Sequence, residues 1–249
     1  NSTIADAQGE GRISDDADKP NLSVSTTEVV EGGYAVFNIQ LSNPSTQDVT
    51  FDLIAKEGTA TEGEDYLPEV EVSYDGGVTW TPVSEATIPA GKTQILARVQ
   101  TTQDDIDEAV EQFILTADIT SGNTTNVSST GTASILDNDG EPQIVITDSS
   151  VNEEDGLLTF VVSLSNPSSN VVTVNYVTAN GTAIAGSDYV SSTGTITFAP
   201  GETSKIITVA VLDDNVFENP ESMYVNLSNP INSTIADAQG EGRISDDAD

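Results

Sequence analysis

Glu31-Gly32-Gly33-Tyr34-Ala35-Val36-Phe37-Asn38-Ile39-Gln40-Leu41-Ser42-Asn43-Pro44 is the stretch that decides the fold. Ala35, Phe37, Ile39 and Leu41 fall on every second position, the period of a strand with one buried face. Gly-Gly before it and Asn-Pro after it are turn chemistry. The string returns 123 residues later as Glu154-Asp155-Gly156-Leu157-Leu158-Thr159-Phe160-Val161-Val162-Ser163-Leu164-Ser165-Asn166-Pro167. Gly58-Thr59-Ala60 and Glu64-Asp65-Tyr66 return at the same interval, as Gly181-Thr182-Ala183 and Ser187-Asp188-Tyr189. Ala90-Gly91 then returns as Pro200-Gly201 after only 110 residues, so the first copy carries 13 extra residues between these landmarks.

A larger repeat encloses this one. Residues 1–18, NSTIADAQGEGRISDDAD, are identical to residues 232–249, an offset of 231. The expected organisation is therefore one period of an array plus an overhang. Residues 1–18 would be the terminal strand of a preceding repeat, 19–139 a first domain and 140–249 a second. Within each domain short alternating runs such as Val172, Val174 and Tyr176, or Ile196-Thr197-Phe198, are punctuated by Asn-Pro, Gly-Thr and Pro-Gly. No stretch holds a helical period. The fold class expected is all-β: tandem immunoglobulin-like antiparallel β-sandwiches of about seven strands each, arranged as an extended rod. A β-solenoid would need a much shorter repeat.

The 13 extra residues include Ser73-Tyr74-Asp75-Gly76-Gly77-Val78-Thr79-Trp80. Asp-Gly-Gly between apolar runs predicts a hairpin turn. The string resembles the Asp-box pattern S-x-D-x-G-x-T-W, which implies a Trp80 that packs locally; the alternative is an exposed, ligand-binding aromatic.

Composition excludes several functions. The 249 residues hold 41 Asp and Glu against 7 Lys and Arg, with no His and no Cys. Disulfides, thiolate nucleophiles, Cys-type metal centres and histidine general bases are all ruled out. A net charge of −34 leaves no basic surface for nucleic acid or an anionic membrane. No apolar run is long enough for a membrane-spanning helix, so direct membrane insertion is not expected. Asn1-Ser2-Thr3 does not open a secretion signal, and any targeting segment is expected to have been removed or to lie outside this window.

The carboxylates are clustered. Asp104, Asp105, Asp107, Glu108 and Glu111 form one group, matched by Asp213, Asp214, Glu218 and Glu221. Asp137 and Asp139 close the first copy; Asp246, Asp247 and Asp249 close the second. Each group sits at a strand end. With so few cations in the chain, converging acids would repel unless a metal ion reverses the sign of that interaction. Ca²⁺ takes 6–8 oxygen ligands and tolerates irregular geometry, which suits several loops meeting.

The landmarks together resemble the Calx-β domain of sodium–calcium exchangers, integrin β4 and long bacterial surface proteins. They are Val29-Val30-Glu31-Gly32-Gly33 and Asn152-Glu153-Glu154-Asp155-Gly156, Gly-Thr-Ala followed by Asp-Tyr, the Asp213-Asp214…Glu218…Glu221 run, and Ile135-Leu136-Asp137-Asn138-Asp139. The resemblance implies an immunoglobulin-like sandwich with Ca²⁺ at one end as its cofactor. Carried over residue by residue, it implies metal ligands Glu31, Asp65, Asp104, Asp105, Glu108, Glu111, Asp137 and Asp139 in the first copy. In the second it implies Glu154, Asp188, Asp213, Asp214, Glu218, Glu221, Asp246 and Asp247. Gln103 in place of Asp213, and Asn138 within the terminal run, depart from the acidic pattern.

The function expected is non-enzymatic: a calcium-stiffened spacer of a secreted bacterial surface adhesin or extracellular filament, in an extracellular or cell-surface location. Its partners would be neighbouring copies of the same repeat, as a covalent array or a head-to-tail filament, with cell-surface or matrix glycans as a further class. The alternatives are a regulatory calcium-sensor pair of a membrane transporter and a calcium-dependent carbohydrate-binding module.

Overall fold

A computed structural model describes residues 8, 11, 18–214 and 217–246. The expected terminal strand at residues 1–18 thus lies almost wholly outside the described residues. The chain falls into two compact units. One holds the described residues up to Thr102 together with Glu111–Ile135; the other holds Gln103–Val110 and the chain from Leu136 onward. No described helix is long and apolar enough to cross a membrane.

In the first unit, β1 (Leu22–Val24), β3 (Tyr34–Leu41), β8 (Gln94–Thr101), β5 (Tyr66–Ser73) and β6 (Thr81–Pro82) form one sheet in that order. The other sheet runs β2 (Thr27–Val30), β10 (Ser128–Leu136), β9 (Glu111–Ser121), β4 (Val49–Glu57) and β7 (Glu85–Ile88). The alternation read from the sequence holds: Ala35, Phe37, Ile39 and Leu41 are all at most 1% exposed. Their ladder to β8 is continuous from Tyr34↔Gln100 to Gln40↔Gln94. Phe37 and Tyr66 meet Phe113 edge-on at 6.0 Å and stacked at 4.5 Å, at the centre of the core.

The second unit repeats the plan with fewer strands. One sheet is β16 (Ser204–Ala210), β13 (Leu157–Leu164), β11 (Gln143–Ile146) and β18 (Thr234–Ile235). The other is β12 (Ser149–Asn152), β19 (Gln239–Ser245), β17 (Glu221–Ile231), β14 (Val172–Asn180) and β15 (Thr193–Phe198). Leu158, Phe160, Val174, Phe198, Met223 and Val225, all 0% exposed, fill the space between them.

Three features raise the strand count above seven. The first strand of each copy breaks and changes sheets, β1 to β2 and β11 to β12, so that one segment contributes to both layers, and in the second copy β18 adds a strand outside β11. The 13 extra residues also build out the first copy. There the chain after Tyr66 runs along β8 as β5 and returns as β6; in the second copy only the single bridge Tyr189↔Val211 remains.

The hairpin tip in that extension is the Asp-box string. Asp75 Oδ1 accepts from the N–H groups of Val78 (3.0 Å) and Thr79 (2.9 Å) and from Ser73 Oγ (2.7 Å), and its Oδ2 accepts from Thr79 Oγ1 (2.6 Å). The Thr79 hydroxyl foremost holds the Asp75 carboxyl well below the usual carboxylate range. Gly76 and Gly77 turn the chain at φ 78° and 94°, where a side chain would be strained. Trp80 Nε1 donates to Gly77 O at 3.0 Å, and the Arg98 guanidinium lies over both the Trp80 ring (4.4 Å) and the Tyr34 ring (3.9 Å). The indole packs locally, with a cation already on one face.

Candidate metal centre

The same four-residue turn aims one aspartate in each copy. Asp65 Oδ2 accepts the N–H of Thr61 and Asp188 Oδ2 that of Ile184, both at 2.6 Å. The backbone closes identically: Asp65 N–H to Thr61 O and Asp188 N–H to Ile184 O, both 3.0 Å. Gly63 and Gly186 supply the left-handed residue, at φ 87° and 93°. The next residue, Tyr66 or Tyr189, is buried and anchors the turn in the core. The aspartate carbonyl then accepts from the chain leaving the next strand, Thr102 N–H at 2.9 Å or Leu212 N–H at 3.0 Å. Each aspartate is thus held at the strand end from which the acidic loop departs.

In the second copy that loop returns to Glu221, the first residue of β17, which pairs with Ile244 of β19. Glu218 N–H donates to Asp246 Oδ2 at 2.8 Å, tying the loop to the end of the last strand. Asp188, Glu218 and Glu221 each then present a carboxylate oxygen, all three within 4.8 Å of one another. Glu153, 5% exposed, follows β12 directly on a 3-10 turn spanning Glu153–Asp155.

The electrostatics follow from that crowding. Burial raises the Glu221 carboxyl to about 7, helped by the hydrogen bond its protonated form donates to Asp188 and by the charges of Asp188, Glu218 and Glu153. The proton stays on Glu221 because adjacent carboxylates do not all ionise cheaply in a partly desolvated site. Burial also raises Glu153, with Asp246, Glu218, Asp214 and Asp213 adding to the shift, and it raises Glu218, with Asp188, Asp214 and Asp246. Glu221 Oε2 is buried without a hydrogen-bond donor. The ion pairs Arg98–Glu71, Lys205–Glu202 and Arg243–Glu241 all lie elsewhere.

The donor set is entirely oxygen. Ca²⁺ binds oxygen at about 2.3–2.6 Å, so two ligands on opposite sides of one ion stand about 5 Å apart. Three oxygens within 4.8 Å fit around a single such ion.

In the first unit, Asp65 and Glu111 bring a carboxylate oxygen each within 4.8 Å of the other, and Glu31 is 8% exposed. In the second unit, Asp137 and Asp139 do the same. Asp137 Oδ2 accepts Glu108 N–H at 3.2 Å, the bond Asp246 makes with Glu218, and its Oδ1 accepts Asp139 N–H at 3.0 Å. Asp139 Oδ2 is buried without a donor. Asp104 turns inward on its own loop, its Oδ1 accepting Ile106 N–H at 2.8 Å. Asp105, Asp213 and Asp214 are exposed. Gln103 and Asn138 pair through their carboxamides at 2.9 Å.

One residue needs correction. String alignment set Glu154 opposite Glu31, but β2 ends at Val30 and β12 at Asn152, so Glu153 takes the position of Glu31. Glu153 is buried as Glu31 is, and Glu154 is exposed. The second copy has one residue more in this turn, and it coils as a 3-10 turn capped by Gly156 at φ 68°. Counting from the end of the strand, rather than back from the glycine, finds Glu153. Asp247 lies outside the described residues.

A profile of the Calx-beta domain matches residues 14–141 and again 137–246. A stretch of 71 residues, 28% of the chain, is 48% identical to sodium/calcium exchanger 1 of Canis lupus familiaris, and 67 residues, 27%, are 46% identical to sodium/calcium exchanger 2 of Homo sapiens. Each match spans 7% of the exchanger's length. Among solved structures, the crystal structure of the apo-form Calx CBD1 domain is 29% identical and covers 44% of this chain and 100% of that one, at a TM-score of 0.42. CBD12 from CALX1.2 is 18% identical and covers 90% and 99%, at a TM-score of 0.41.

Proposed function

The chain belongs to the Calx-beta domain family, with two domains in tandem, and from that we propose that both copies bind Ca²⁺ as non-catalytic modules. The observation that carries this is the convergence of Asp188, Glu218 and Glu221, with buried Glu153 beside them, in a site where Glu221 keeps its proton to about pH 7. Those four, with Asp246, would hold the ion in the second copy. Glu31, Asp65, Glu108, Glu111, Asp137 and Asp139 are the corresponding residues of the first. The ion's contribution is charge: it turns mutual repulsion among the carboxylates into attraction to a common centre.

The wider role we propose is that of a spacer in a secreted bacterial surface adhesin or extracellular filament, with neighbouring repeats as partners. The 18-residue identity at an interval of 231 supports it, because a near-exact internal copy is the mark of a recently duplicated array. Extracellular modules bind Ca²⁺ in the ~10⁻⁴–10⁻³ M range, which suits permanent saturation outside a cell. A second reading, a calcium sensor within a membrane transporter, is favoured by the local identity to the two exchangers.

The test is a thermal melt of the chain in millimolar Ca²⁺, in EDTA, and in Mg²⁺. Calcium at 100 times its Kd stabilises by about 2.7 kcal/mol per site. A higher midpoint in Ca²⁺ alone is expected; equal midpoints in Ca²⁺ and EDTA would refute the metal sites. A Kd below ~10⁻⁶ M would move the assignment to the sensor.

A further inference from the structure

The acidic loop of the first copy makes a bonded contact at Asp107. Asp107 N–H donates to Pro167 O (3.1 Å), Ser169 N–H donates to Asp107 O (3.0 Å), and Ser168 Oγ donates to Asp107 Oδ2 (2.9 Å). Asp107 and Ser168 form a one-residue parallel bridge. The receiving turn is itself fixed by three bonds. Asn166 Nδ2 donates to Gly140 O (2.9 Å), Asn170 N–H to Ser168 Oγ (3.2 Å), and Gly201 N–H to Ser168 O (3.0 Å).

The turn Asn43–Gln47 of the first copy is built by the same three bonds. Asn43 Nδ2 donates to Asp18 O (2.6 Å), Gln47 N–H to Ser45 Oγ (3.0 Å), and Gly91 N–H to Ser45 O (2.9 Å). Ser45 is 9% exposed, as Ser168 is 2%. Among the described residues no loop is bonded to Ser45 as Asp107 is bonded to Ser168. Instead a cleft of about 120 Å³ opens there, lined by Asp18, Lys19, Pro20, Pro44, Thr46 and Gln47 besides Ser45 and Asn123.

The counterpart of Asp107 in the second copy is Phe217, 76% exposed on a loop that also carries Asp213, Asp214 and Glu218. Leaving an aromatic ring that open in water forfeits the hydrophobic gain of burying it.

We propose that the Asn43–Gln47 turn is a docking site for the Phe217 loop of a second copy of this chain, seated as Asp107 is seated on the Asn166–Asn170 turn. Most of the existing contact is backbone, so it does not depend on the side chain at the tip. The aspartate-to-serine bond is replaced by a ring set against Pro20 and Pro44. Charge shifts in the right sense: Lys19, beside Asp18, stands where the other turn has Glu141, so this turn offers an acidic loop a cation that its counterpart lacks. Covalent order agrees too. The residues preceding Lys19 repeat the end of the second copy letter for letter. A chain joined through that identity sets a Phe217 loop before Lys19 at nearly the spacing that separates Asp107 from Gly140. The inference rests on the repeat reading of the function, not on calcium.

The test uses the full chain extended by one period, residues 19–249 appended after Asp249. Cysteine is absent from the sequence, so every disulfide reports an introduced pair. Phe217→Cys in the first period is combined with Ser45→Cys in the second, and Asp107→Cys with Ser168→Cys in the unextended chain is the reference. Closure within about tenfold of the reference rate is expected, and slower closure when the first cysteine is moved to Asp213. Thiols that stay reduced while the reference pair closes would overturn the proposal. Without any substitution, hydrogen exchange at residues 43–47 should show two equal populations in the extended chain, one slowed; a single population at the rate of the unextended chain would also overturn it. Running both in Ca²⁺ and in EDTA separates this outcome from failure of the metal sites, which the melt alone reports.

Discussion

The turns that aim Asp65 and Asp188 are bonded atom for atom alike, yet the tyrosines beneath them are not in the same state. Tyr189 OH donates to Asn180 Oδ1, while Tyr66 OH, equally buried, has no hydrogen-bond partner. Asn180 corresponds to Glu57; each accepts the equivalent turn N–H, from Ala185 at 3.0 Å and from Glu62 at 3.4 Å, but only Asn180 also accepts the tyrosine hydroxyl. Burial first, then the charges of Glu62, Glu57 and Asp65, raises the Tyr66 phenol. The two copies keep the backbone that positions the aspartate of the acidic cluster and let the supporting polar groups drift. They differ in loops too: the first has the Asp-box hairpin and the neutral Gln103–Asn138 pair, the second an added acid in its 3-10 turn. What is held constant is what aims the carboxylates, and that is the mark of a site rather than of a merely acidic surface.

The largest expected effects lie where the last strand crosses the core. A Cβ on Gly131 would stand 2.1 Å from Ser25 O, a backbone atom that cannot rotate away; one on Gly242 would meet the side chains of Leu158 and Met223 at 2.8 Å. Gly242→Ala should cost about 1–3 kcal/mol, the usual range for overpacking, and Gly131→Ala more. Denaturant melts of the two variants check this, and equal costs would show that Ser25 can give way.

Next comes a reversal of sign at Glu221. Glu221→Gln removes a charge from a site of like charges, so in EDTA the variant should be more stable than the parent, by on the order of 1 kcal/mol. In Ca²⁺ it should be less stable, because a ligand is lost. The matching substitution Glu111→Gln in the first copy asks whether the copies share this property. A variant destabilised in both conditions would mean that Glu221 serves the fold and not the ion.

The pH dependence follows from the same group. The folded Glu221 carboxyl titrates near 7, against an ordinary value near 4.5. The folded state therefore holds a proton that the unfolded chain has already released. This stabilising term is fully present below about pH 4.5 and is lost as pH rises to about 7. Calcium-free midpoints should fall across that window, and saturating Ca²⁺ should flatten the fall. Glu221→Gln should flatten it without calcium.

The smallest effect separates the two tyrosines. Tyr189→Phe should cost about 1 kcal/mol for the lost bond to Asn180, while Tyr66→Phe should be neutral or slightly stabilising, since it removes a buried hydroxyl with no partner. Equal costs would break the comparison.

Much of this was legible in the chain. Strand alternation, the two copies and the Asp-box hairpin follow from local patterns, because side-chain period and turn chemistry are written in neighbouring residues. Two features were not. The sequence alone sets Glu154 in place of Glu153, because Glu153-Glu154-Asp155 can be slid against Glu31 by one position without loss of match, and only the strand end fixes the register. The split first strand was also hidden: changing sheets after β1 or β11 requires no distinctive residue, only a break between two short apolar runs. Which acids converge depends on contacts between loops far apart in sequence, and composition shows only that there are many.

The most direct test of the central claim is calorimetric titration of the chain with Ca²⁺ near pH 6.5, in two buffers of different ionisation enthalpy, with Mg²⁺ as control. The account predicts binding heat for Ca²⁺ and a buffer dependence that reports proton release, with Glu221→Gln abolishing most of the release. Absence of binding heat up to millimolar Ca²⁺ would contradict it, and would leave the converging carboxylates as a site with no ion to hold.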